Sequence, residues 1–64
     1  MFRFKSLQRA ASFALRCRVP ALVFDGPDDD YVAAVGAEAR ELEEDGHEAY
    51  TLAETAQAAE EASR

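Results

Sequence analysis

The apolar positions change period along the chain, and each period predicts a different element. Placed on a helical wheel, Phe2, Phe4, Leu7, Ala10, Ala11, Phe13, Ala14, Leu15 and Cys17 fall on one wide side, and Lys5, Gln8, Arg9, Ser12 and Arg16 fill the remainder. Arg3 and Arg18 break the apolar side only near its ends, where long side chains reach water. This pattern predicts an amphipathic helix over residues 1–18. A second reading is a short strand at residues 1–5, where Phe2 and Phe4 alternate with Arg3 and Lys5, followed by a helix capped at Ser6. The continuous helix is the preferred expectation.

Residues 19–52 read as one βαβ unit. Pro20 cannot donate to a ladder, so Val19 to Ala21 begins a strand or forms an edge, and the uninterrupted Leu22, Val23 and Phe24 suit a strand covered on both faces. Asp25, Gly26 and Pro27 end it. Asp28 is placed as an N-cap, with Asp29 and Asp30 in a first helical turn where negative charge complements the dipole. Tyr31, Val32, Val35, Ala39 and Leu42 then make a stripe at helical spacing, and Gly46 closes the helix as its C′ residue. A short second strand is expected from His47 to Leu52, parallel to the first. Thr51 and Glu54 stand at capping-box spacing and open an Ala/Glu-rich terminal helix over 53–64.

The fold expectation is therefore a small single α/β domain in the order α-β-α-β-α, with a two-stranded parallel βαβ unit. With a first strand at 1–5 it becomes three βα units. At 64 residues, burial on folding reaches only about 60% of the unfolded surface, so a partner or second copy is expected to add core. The only cysteine, Cys17, cannot form an intrachain bridge, which favours a reducing, cytoplasmic setting.

Charge is strongly polarised. Residues 1–18 carry Arg3, Lys5, Arg9, Arg16 and Arg18 and no acid, whereas the remainder carries 13 acids against Arg40 and Arg64, and the whole chain has a net charge of −6. An acidic body repels nucleic acid and confines any such contact to the first eighteen residues. The basic head has the composition of a mitochondrial presequence, but the body without it is too small to bury much, so it is taken as part of the fold. No apolar run reaches the eighteen or so residues of a membrane span.

Two groups of residues could carry function. Phe2, Phe4 and Phe13, with Lys5, Arg9 and Arg16, could rest on an acidic protein or an anionic membrane surface, or simply cover the sheet. Asp25, Asp28 and Asp30, in the turn after the first strand, offer hard oxygen ligands for Mg²⁺ or Ca²⁺, although capping accounts for them without a metal. The segment LVFDG, Leu22 to Gly26, resembles the strand-to-turn segment of toprim domains and of haloacid dehalogenase-like phosphatases. In both families a further aspartate stands where this chain has Pro27, so the resemblance implies no catalytic residue here. No phosphate-binding glycine motif follows the strand, and Cys17 and His47 lie on different elements. The expectation is a non-enzymatic interaction or regulatory protein that needs no cofactor, binds a protein partner or forms a homodimer, and is cytoplasmic. Peripheral membrane binding through the head and divalent-metal-dependent phosphotransfer centred on Asp25 are the alternatives.

Overall fold

The computed structural model describes all of residues 1–64, in the order β1 (Phe2–Phe4), α1 (Leu7–Arg16), β2 (Ala21–Asp25), β3 (Tyr31–Val35), α2 (Ala37–Glu44) and α3 (Leu52–Ala62). The three strands form one sheet in the order β1-β3-β2, antiparallel at both pairings. The protein is thus a small compact α/β domain, but the parallel βαβ unit is absent.

Three local features produce the difference. First, the head divides: Phe2–Phe4 pairs with β3, and Ser6 accepts a hydrogen bond from the Arg9 amide at 3.2 Å, capping α1. The alternating reading of residues 1–5 is the observed one, because the strand finds a partner and the helix finds its cap. Second, Tyr31–Val35 is strand, not helix. The run YVAAV is rich in residues that suit a pleated surface, and β2 lies within one hairpin turn of it. Asp28 consequently caps no helix. Gly36, at φ 58°, takes the backbone directly from β3 into α2, so the helical stripe keeps only Ala39 and Leu42. Third, the expected strand from His47 to Leu52 shrinks to a single antiparallel bridge, Ala49 opposite Phe24, with the Tyr50 amide donating to the Val23 carbonyl at 2.8 Å. This strap lies along the outer edge of β2.

Two helix ends form as their sequences indicate. The Gly46 amide donates to the Glu43 carbonyl and the His47 amide to the Leu42 carbonyl, with Gly46 at φ 95°, which is the Schellman closure of α2. Thr51 and Glu54 form a reciprocal capping box at the start of α3.

The register assigns the side chains to two faces. Phe2, Phe4, Ala21, Val23, Tyr31 and Ala33 share the face that α1 covers, where Val23 packs on Ala10 and Ala14. Leu22, Phe24, Val32 and Ala34 lie on the opposite face, where Ala39 and Leu42 of α2 pack on them. α3 lies beside α1 and buries Thr55 and Ala58. Val23 and Phe24 are the largest fully buried side chains, so each sheet face has one principal anchor.

The β2–β3 hairpin turn depends on close approach. The Gly26 amide donates to the Asp30 carbonyl at 2.8 Å, and Asp30 Oδ1 accepts from the Asp28 amide at 3.4 Å. A Cβ on Gly26 would collide with the Asp30 Oδ1 and crowd its carbonyl oxygen at 3.1 Å. Gly26→Ala is therefore expected to cost about 1–3 kcal/mol through overpacking, while Asp28→Ala, exposed and capping nothing, stays within roughly 0.5 kcal/mol. Urea denaturation of both variants checks the contrast, and a Gly26→Ala curve overlying the wild type contradicts this account of the turn.

Candidate functional site

The N-terminal face brings together the residues that the sequence marks out. The Phe13 ring of α1 lies 4.7 Å from that of Phe2 and 5.3 Å from that of Phe4, centroid to centroid, in tilted arrangements. Such contacts favour a fixed geometry beyond simple burial. Phe2 nonetheless remains 48% exposed, and β1, with three residues, pairs on one side only. Its other edge is open to solvent.

The cations beside this cluster are unneutralised. Arg3 reaches Asp30 at 4.0 Å and Arg64 reaches Glu60 at 3.2 Å, but Lys5, Arg9, Arg16 and Arg18 take part in no ion pair, although the chain carries nearly twice as many acids as cations. Lys5 lies in the bend between β1 and α1, and Arg9 and Arg16 are exposed on α1. The Arg16 Nε donates to the Ser12 carbonyl at 3.2 Å, which fixes the stem and leaves the outer nitrogens free. Arg9 and Arg16 border an open groove of about 610 Å³, with Phe4 and Leu15 as its apolar content and Ala59 and Ala62 of α3 as its far wall.

A second hollow of about 500 Å³ lies on the α2 side, with Phe24, Val32 and Leu42 at its base and Arg3 and His47 at its rim. Asp25, Asp28 and Asp30 do not act together. Asp28 and Asp30 share the hairpin turn, Asp30 is buried beside Arg3, and the Asp25 carboxylate accepts a hydrogen bond from the Tyr50 hydroxyl. No group of three or more His, Cys, Asp or Glu side chains converges as a metal site requires. Cys17 is the half-buried C-cap of α1, and His47 is exposed after α2. No helix is long and apolar enough to cross a membrane.

The sequence shows nothing of the Asp25–Tyr50 pair. Tyr50 counts there only as apolar strand content, and its partner becomes a neighbour only when the strap docks on β2. The aromatic cluster was visible as three phenylalanines, but the groove was not, because it exists only where α3 lies against α1. No protein-family profile, curated protein or solved structure matches the chain.

The hydrogen bond to Asp25, then partial burial and the Asp25 charge, push the Tyr50 hydroxyl from 10.0 up to about 12. Because the folded value is the higher one, the stability this group contributes is complete below pH 10 and is lost as the pH rises toward 12. Monitoring tyrosinate absorbance should show one late-titrating tyrosine. In Asp25→Ala that titration should move down toward the ordinary tyrosine range, and an unchanged late titration contradicts the assignment.

Proposed function

We propose that this chain is a small non-catalytic binding protein that works by association through its N-terminal face, and that its first partner is a second copy of itself. The observation that carries the reading is the open edge of β1 beside the half-exposed Phe2. An unpaired edge without proline or bulge is a template for another strand. Antiparallel pairing of β1 with its symmetry mate about Arg3 puts Phe2 opposite Phe4 of the other copy, on the α1 face. The two aromatic clusters then adjoin, and a six-stranded sheet results. Arg3 meets its own copy on the opposite face, an unfavourable pairing that Asp30 of each subunit offsets.

Core size supports the same conclusion. Only 12 of 64 residues are buried, and Met1, Phe2, Leu15, Val19 and Leu52 stay exposed, so burial at an interface supplies apolar area that the monomer lacks. Lipid insertion is less well supported, because Ala10, Ala11 and Ala14 of α1 are already buried within the fold. Sedimentation velocity across a concentration series should show a monomer–dimer equilibrium, with a melting temperature that rises with concentration. Added salt should leave the dimer intact, since screening removes repulsion between acidic bodies and spares apolar burial. Phe2→Glu should sediment as a monomer with an unchanged far-ultraviolet spectrum. Monomeric wild type at high concentration, with a concentration-independent melt, rules the proposal out.

A further inference from the structure

Sharing only Phe4 with the β1 edge, the groove between α1 and α3 has the features of a docking site for a second kind of partner. Its α1 side presents Arg9 and Arg16, seven positions apart and so on one helical face about 10 Å from each other along the axis. Leu15 lies beside Arg16 in sequence and is 48% exposed, and Phe4 extends the apolar strip. Opposite them, Ala59 and Ala62 supply methyl groups and Ser63 a hydroxyl that donates to the Ala59 carbonyl, side chains small enough to keep that wall low and let another backbone approach closely. Neither guanidinium has a carboxylate partner in a chain of net charge −6. Arg16 is held in place by its bond to the Ser12 carbonyl, so little conformational freedom remains to be lost when an anion binds its outer nitrogens.

We infer that this groove receives an acidic amphipathic helix from a partner protein, with two carboxylates two turns apart and an apolar residue between them. The spacing is what selects a helix: residues seven apart on a partner helix repeat the separation of Arg9 and Arg16 and point the same way. Charge complementarity selects the acidic sequence. It also disfavours an anionic bilayer or a nucleic acid, because those are extended arrays of negative charge that would face the acidic body as well as the groove. A single helix meets the groove alone, and beyond a Debye length of about 8 Å in physiological salt the rest of the body is screened from it.

The test uses the full chain carrying Phe2→Glu, so that loss of self-association and loss of groove binding are separable. The probe is a fluorescein-labelled, end-capped Ala-rich helical peptide with two glutamates seven positions apart and a leucine between them. The control has the same composition with the glutamates on opposite faces. The matched peptide should bind about fivefold or more tightly than the control, and its affinity should fall as salt is added. Arg9→Gln with Arg16→Gln should reduce it to the control level, and Leu15→Asp, which keeps both arginines, should also weaken it. Circular dichroism verifies that each variant retains its helices. Equal binding of the two peptides, or binding that survives the double arginine change, overturns the inference. So does a result in which phosphatidylglycerol vesicles, and not the matched peptide, bind in an Arg9- and Arg16-dependent way.

Discussion

The structure depends on how closely α1 can approach what lies on either side of it. Ala10 and Ala11 are fully buried and Ala14 nearly so, with Val23 and Ala33 of the sheet beneath. Along Ala10, Ala11 and Ala14 only methyl groups stand between α1 and its neighbours, so the sheet and α3 both come close to the same short helix. α3 has no other extensive contact: it lies chiefly on α1, and Thr55 and Ala58 are its buried residues. A larger side chain at Ala10 or Ala11 would push apart both layers, a change of the overpacking kind that costs about 1–3 kcal/mol in a well-filled core. For a domain this small that is a large share of a total of roughly 5 kcal/mol.

The two sheet faces are filled unequally by design of the sequence pattern. On the α1 face, small alanines meet the single valine anchor; on the other, Phe24 meets a helix of only eight residues. Apolar groups that the helices leave half covered stay at the rim, among them Phe2 beside Phe13 and Leu15 of α1 itself. The exposed patches and the thin core therefore have one cause. The basic residues lie at the same rim, because α1 turns Arg9 and Arg16 outward when it turns its alanines in.

Elements whose signals are local were legible in the sequence. The β2 run, the glycine stop of α2 and the Thr51–Glu54 box each depend on residues a few positions apart, and all three formed. Tyr31 to Leu42 was not legible in the same way. Tyr31, Val32, Val35, Ala39 and Leu42 fit a helical stripe, while YVAAV fits a strand equally well. The decision lies in tertiary pairing with β1 and β2 and in the positive φ of Gly36, none of which a periodicity count contains. With that helix misplaced, the aspartates of the hairpin turn read as caps and the strands read as parallel. Among the candidate functional residues, the phenylalanines announced themselves by type. The groove needs α3 beside α1, and the Asp25–Tyr50 contact needs residues 25 positions apart in sequence to meet.

The strap at Ala49 and Tyr50 is the least secured contact of the sheet. β2 and β3 are joined by a short turn, so their pairing closes a small loop early and at low entropic cost. Ala49 must return to Phe24 across α2, and it is held there by one bridge and the neighbouring Tyr50 amide. A contact with so few hydrogen bonds is among the first to be released in local opening. Whenever the strap lifts, the outer edge of β2 is bare from end to end, and the sheet then offers unpaired backbone groups on both of its flanks.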